Sequence, residues 1–293
     1  MRSKLFVPGS RPELFTKALS GPADGLSFDL EDAVRPEKKG DARAALAAFL
    51  SSDEVKRSDK TIVVRINPLG SDYFMDDLKA MVCDRIDVIN LPKPESVEDI
   101  QKVSELITQV EQEKRLERGG RRPIGLLVNI ETPRALRMAH EFAAAHERVM
   151  GLQLGLGDLF EPYGINRRET VAVYNAMYQV AMAAHEAGVQ AYDTAFTNVA
   201  DKEGFIAEAR MARNLGFSGK SCIHPSQVEP ANEVFRPSQA EIEFAVKVVQ
   251  AEEQAKEASV GAYMVDGKMI DGPFVDRARN ILKIAQQLGL ITK

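Results

Sequence analysis

A parallel (β/α)8 (TIM) barrel followed by a C-terminal helix–hairpin–helix extension is the fold that this sequence predicts, on three observations. Eight short strand-like runs recur along the chain, separated by segments with helical periodicity. Two of the runs end on carboxylates, Glu131 and Asp158, and α/β folds carry their chemistry at the carboxyl ends of their strands. No Gly-x-Gly-x-x-Gly turn occurs, so nothing favours an open dinucleotide-binding sheet built from the same elements. The 293 residues, 44% of them apolar, suit one barrel with an extension.

The expected strands are residues 4–7, 25–30, 61–66, 87–91, 124–130, 152–155, 189–192 and 219–223. The first closes on Pro8-Gly9-Ser10, a turn. The second runs into Asp29-Leu30-Glu31-Asp32, and the third carries Arg65 at its exit. After the fourth, Ser96 and Asp99 form a capping box, and Ile100, Val103, Leu106, Ile107 and Val110 share one helix face. Residues 111–122 are rich in charge and read as an exposed helix end and loop. Following Glu131, Thr132 is an N-cap and Pro133 a first helical residue, with Leu136, Ala139, Phe142 and Ala143 on one face. Gly155 and Gly157 flank the approach to Asp158. Beyond the eighth run, Ser238 and Glu241 box a helix with an Ile242, Ala245, Val246, Val249 stripe. Asp266-Gly267 then signals a type I′ hairpin within 262–271, and Gly272-Pro273 opens a last helix. The expected division is a catalytic barrel over 1–235 and an extension over 236–293 that acts as lid and oligomer contact.

Composition narrows the function. A net charge of −5 argues against a nucleic-acid partner, whose usual footprint is a basic face. Cys83 and Cys222 have no framework spacing, which fits a reducing compartment. No run of eighteen apolar residues predicts a membrane span, and the apolar stretch near Met1 is too short for a signal peptide. A cytoplasmic protein is the expectation.

Glu131 and Asp158 form the candidate metal pair. Hard oxygen donors without a nearby thiolate or imidazole favour Mg2+ over Zn2+, the alternative being that each acid only caps a helix. Arg65 at a strand exit can clamp a substrate carboxylate, and a salt bridge to Asp29, Glu31 or Asp32 is compatible with that role. Strand alternation sends Asp29 and Glu31 to one side and Asp32 to the other, so the three are not expected to ligate one ion. They are expected to hold metal-bound water and to orient Arg65 or Lys38, although Glu31 reads equally as a solvated loop acid. Gly155 permits close approach of a ligand, or serves a tight turn. Alternation also allows a Cys222–His224 pair, but Pro225 favours a turn in which the imidazole fixes backbone. His140, His146 and His185 fall on expected helices and read as structural.

Several segments then become recognisable together. Leu5-Phe-Val-Pro-Gly9, Asp29-Leu-Glu-Asp-Ala-Val34, Val64-Arg65-Ile-Asn67, Leu91-Pro-Lys-Pro-Glu-Ser96, Ile130-Glu-Thr-Pro133, Gly155-Leu-Gly-Asp-Leu159 and Gly219-Lys-Ser-Cys-Ile-His-Pro225 resemble, in order, the motifs of the HpcH/HpaI aldolase–citrate lyase β-subunit family. Asp266-Gly-Lys-Met-Ile-Asp271 is similar to that family's tail, so the resemblance covers nearly the whole chain. It implies a (β/α)8 barrel, Mg2+ at Glu131 and Asp158, a substrate-binding Arg65, and homo-oligomers such as trimers or hexamers. It implies that Asp271 is a catalytic acid supplied to a neighbouring chain. Asp29, Asp32, Lys38 and Gly155 complete the expected substrate-binding set. The implied reaction is Mg2+-dependent cleavage of a citramalyl-CoA or malyl-CoA type thioester to acetyl-CoA and a small 2-oxo acid, pyruvate or glyoxylate. A citryl carrier-protein lyase subunit and a class II aldolase acting on free hydroxy-oxo acids are the alternatives.

Overall fold

The computed structural model describes residues 1–257 and 261–292. Eight parallel strands pair in chain order and close into a barrel, as the alternation of apolar runs and helices requires. They are β1 (Ser3–Pro8), β2 (Gly25–Asp29), β3 (Thr61–Arg65), β4 (Val88–Leu91), β5 (Gly125–Ile130), β6 (Val149–Leu154), β7 (Gln190–Asp193) and β8 (Gly219–Cys222). Pairing of Lys4 with Ser221 belongs to the ladder that closes β1 on β8. β6 begins at Val149 rather than 152, because Gly151 is paired on both sides instead of forming a turn. The helix expected after Glu131 is two short ones, Pro133–Arg137 and Ala139–Ala143, parted at Met138. Ala139, Phe142 and Ala143 stay buried despite the break, since both pieces keep the same face inward.

Outward-facing strand residues such as Leu26, Phe28, Ile62, Val64 and Ile89 are buried under the surrounding helices. Phe15, Phe28 and Phe49 meet there with ring centroids 5.1–5.7 Å apart. The expected capping box is formed: the Ser96 hydroxyl accepts from the Asp99 N–H, and the Asp99 carboxylate accepts from the Ser96 N–H. Inside the barrel, Val63, Val88, Leu127 and Tyr192 make a small apolar cluster. Register sets Asp29, Arg65 and Asn90 side by side on β2, β3 and β4, so the interior becomes polar towards the strands' carboxyl ends.

By contacts the chain divides into two units, Met1–Phe235 and Arg236–Lys293. The second contains the helix Gln239–Glu257, the hairpin β9 (Tyr263–Val265) and β10 (Lys268–Ile270), and the helix Gly272–Gln287. Asp266 and Gly267 both have positive φ, 48° and 78°, as a type I′ turn demands. Ala245, Val248, Val265, Ile270, Val275 and Ala278 form this unit's own core. No helix among the described residues is long and apolar enough to cross a membrane.

One buried ion network ties sheet to helix. Lys220 on β8 is fully buried, with Nζ 2.6 Å from Asp193 on β7 and 2.6 Å from Glu208 on the helix Lys202–Asn214. Arg167 holds the other edge of Glu208. Removing the central cation leaves two buried acids short of a partner. Lys220→Met should therefore lower the unfolding free energy by about 3–5 kcal/mol, read from urea denaturation against the parent chain.

Candidate active site

The sequence places acids where β2 ends, and the local fold turns them inward. Asp29 is the last residue of β2, and its carboxylate accepts the N–H groups of Glu31 (2.9 Å) and Ala33 (3.1 Å), which bends the chain immediately after the strand. Lys39, nearly buried, closes the bend by donating to the Leu30 and Glu31 carbonyls at 2.8 and 2.9 Å. Strand alternation no longer applies beyond Asp29, and this corrects the expected separation of the three acids. Arg65 reaches all of them: Asp29 through Nε at 2.8 Å and Nη2 at 2.6 Å, Glu31 at 2.9 Å, and Asp32 more loosely at 3.6 Å.

Charge follows this geometry. Burial alone would push the Asp29 carboxyl up, but the Arg65 hydrogen bonds and charge, with the two N–H groups, hold it below the usual carboxylate range. Burial opposes the Arg65 charge too, and Asp29, Glu31 and Asp32 together raise the guanidinium's pKa despite it. Burial pushes Glu31 up to about 7, with Arg65 and Lys93 pulling the other way.

Glu131 follows β5 and is 3% exposed. Its Oε1 accepts the Lys93 N–H at 2.9 Å, and its Oε2 accepts Asn129 Nδ2 at 3.0 Å, Asn129 in turn accepting from Asn90. Gly155 packs directly against it. A Cβ there would lie 2.7 Å from Glu131 Cβ and 2.9 Å from Oε2, so glycine at this position makes room for the carboxylate. Burial raises Glu131, and the charge of Asp158 raises it further. Asp158 lies in the first turn of a short helix, Leu156–Phe160, with its side chain about half exposed at the barrel mouth.

Lys93 carries a role that the sequence reading did not assign. Its ammonium is 2.8 Å from Glu31, 3.6 Å from Asp32 and 3.7 Å from Asp158. Burial would lower its pKa, yet the Glu31 contact and the surrounding acids raise it. The signal was available in Pro92-Lys93-Pro94 at a strand exit: prolines on both sides restrict the backbone, and Lys93 adopts φ +49°. Lys38, in contrast, is not brought to the site. The turn Pro36–Lys38 leaves it exposed and paired with Asp41 at 3.1 Å, while its neighbour Lys39 points inward.

Glu131 and Asp158 suit a hard cation. Both are oxygen donors, and each Glu131 oxygen keeps a lone pair beyond the hydrogen bond that orients it. A dication would also offset the burial that raises Glu131. Among the described residues no group of three or more His, Cys, Asp and Glu side chains could hold a metal ion. Two carboxylates with the remaining positions left to water and ligand oxygens is the arrangement Mg2+ favours. Cys222 is fully buried, and that burial pushes its thiol up to about 12, which disfavours the thiolate that a nucleophile needs. His224 caps the turn Pro225–Gln227, its Nδ1 accepting from the Ser226 N–H.

The family model for HpcH/HpaI aldolase/citrate lyase matches residues 2–225. The citrate lyase subunit beta of Haemophilus influenzae is 36% identical over 286 residues, covering 97% of each chain. A (3S)-malyl-CoA thioesterase of Cereibacter sphaeroides is 34% identical over 98% of this chain and 95% of its own. Among solved structures, CitE of Mycobacterium tuberculosis in complex with magnesium, acetoacetate and coenzyme A superposes with a TM-score of 0.73 at 30% identity, over 98% of this chain and 100% of that one. The same protein with magnesium and pyruvate gives a TM-score of 0.69 at 28% identity, over 96% and 97%.

Proposed function

The chain belongs to the HpcH/HpaI aldolase/citrate lyase family, and on that premise we propose that it is a Mg2+-dependent carbon–carbon lyase. Its substrate is a 3-hydroxyacyl-CoA of the citramalyl-CoA or malyl-CoA type, cleaved to acetyl-CoA and pyruvate or glyoxylate. The observation that carries this reading is the convergence of Arg65, Glu131 and Asp158 on the carboxyl end of the barrel. Magnesium and coenzyme A in the similar CitE structure support the cofactor and the thioester.

Glu131 and Asp158 would hold Mg2+, which when bound supplies Lewis-acid polarisation of the oxygen at the carbon that becomes the oxo group. Arg65 Nη1 is shared by Glu31 at 2.9 Å and, more loosely, by Asp32 at 3.6 Å, so a substrate carboxylate or enolate oxygen would reach it by displacing Asp32. Its guanidinium is already aimed by Asp29, and little reorganisation accompanies binding. Phe6 stands 5.3 Å from that guanidinium and lines an apolar groove of about 520 Å3 with Pro8 and Ile223, which suits the arm of a thioester. Asp271 would protonate the carbon left by bond cleavage, or remove a methyl proton in the reverse direction. It stands at the N-cap of the helix Gly272–Gln287 without a side-chain capping bond, and its buried Oδ1 has no partner among the described residues, which supports a role outside its own helix. We assign it to a neighbouring chain's site in a homo-oligomer.

A second reading, the citryl carrier-protein lyase subunit, is favoured by the 36% identity to citrate lyase β subunits. Incubation with Mg2+ and citramalyl-CoA, malyl-CoA or a citryl carrier-protein thioester separates these readings. Release of the 2-oxo acid from a CoA ester supports the first, and cleavage of only the carrier-bound thioester supports the second. Free CoA without oxo acid would mean thioester hydrolysis instead. Glu131→Gln and Asp158→Asn should each cut kcat/KM by more than about a hundredfold, beyond the loss expected from a group that only orients a ligand. Unchanged Mg2+ dependence in both variants would remove them from the metal site.

The placement of Asp271 is tested by subunit mixing. Asp271→Ala and Glu131→Gln oligomers should each be nearly inactive. After dissociation and random reassembly at equal amounts, about a quarter of the sites combine an intact acid pair with an intact Asp271 from the next chain. Return of activity towards that fraction is the expected result, and none despite confirmed exchange would place Asp271 within its own chain or outside the reaction.

A further inference from the structure

Lys4 has no part in the chemistry described so far. It lies deeper along β1 than Phe6, is fully buried, and its Nζ has no hydrogen-bond partner among the described residues. The other fully buried lysine, Lys220, is held by two carboxylates and a carbonyl, and Lys39 by two carbonyls. Lys4 has only the Phe6 ring, whose centroid is 4.5 Å from its Nζ and 5.3 Å from the Arg65 guanidinium. The acids whose charge it feels are engaged elsewhere: Asp29 gives both oxygens to Arg65, and Glu131 is held by Lys93 and Asn129. Ser27 Oγ and Asn90 Oδ1 are also buried without partners. Ser27 pairs with Phe6, and Asn90 with Arg65. Burial, and then the nearby Arg65 charge, push the Lys4 ammonium down to about 7, so the interior beneath the site holds a cation near its titration point and polar groups that the described residues do not satisfy. A cation in that setting is costly until a counter-ion arrives.

We propose that Lys4 is a positioning residue for the anionic 2-oxo acid, its uncompensated charge acting through Phe6 and Arg65 to favour a carboxylate in the barrel mouth. This rests on the lyase reading above. The field has a sign that separates it from a packing role: a positive charge favours the carboxylate and opposes a dication.

The test is calorimetry on the full chain, with Mg2+ titrated alone and with pyruvate or glyoxylate, whichever the parent binds, titrated in the presence of Mg2+. Lys4→Met keeps an unbranched side chain of similar length without the charge. It should weaken oxo-acid binding by about tenfold, the size expected for one partly screened interior charge, and leave Mg2+ binding as tight or tighter. Lys4→Gln keeps a hydrogen-bond donor and should show the same loss. Unchanged oxo-acid affinity in Lys4→Met, an equal weakening of Mg2+, or full rescue by Lys4→Gln would each overturn the proposal. A parent chain that binds neither Mg2+ nor an oxo acid would overturn the lyase reading itself and this proposal with it.

Discussion

The two-point contact between Arg65 and Asp29 organises the mouth of the barrel. A guanidinium at the end of an interior-facing strand position is costly unless matched, and Asp29 matches it from the adjacent strand at the same register level. The same carboxylate accepts the two N–H groups that turn the chain after β2. One side chain thus both neutralises the arginine and builds the bend that returns Glu31 and Asp32 to it. Removing Arg65 would leave Asp29 a buried charge without its partner, and removing Asp29 would strip Arg65 of its match and unmake the turn as well.

Around that contact the site is a balance of opposite charges held close in a partly dry interior. Arg65 and Lys93 sit among Asp29, Glu31, Asp32 and Asp158, and Glu131 stands beside them raised by its own burial. Such an arrangement is preorganised for ligands that carry both signs, as a magnesium ion with an oxo acid does. Two chains of hydrogen bonds, Asn90 to Asn129 to Glu131 and the Lys93 N–H to Glu131, fix the carboxylate before any ion arrives. Gly155 lets that carboxylate lie flat against the next strand exit.

The barrel was legible because eight buried parallel strands leave eight short runs poor in charge, with helical periodicity in the segments between them. Glu131, Asp158 and Arg65 were legible for the same reason, as charges at the ends of such runs. What alternation could not supply was the path after β2, where hydrogen bonds to Asp29 replace strand geometry and bring Asp32 back to Arg65. The neighbouring residues Lys38 and Lys39 exchanged roles for a related reason, since a short helical turn decides which of two adjacent lysines points inward. Lys93 and Lys4 were hidden because their significance lies in partners from distant strands, or in the lack of them.

Glu131 and Asp158 are proposed to make a single divalent-cation site beside Arg65. Anomalous diffraction from crystals soaked with Mn2+, a stand-in for Mg2+ with the same preference for oxygen donors, tests it most directly. One strong peak per chain within coordinating distance of both carboxylates is the expected result. A peak held instead by Glu31 and Asp32, or no peak at these acids under conditions where the chain is active, would contradict it.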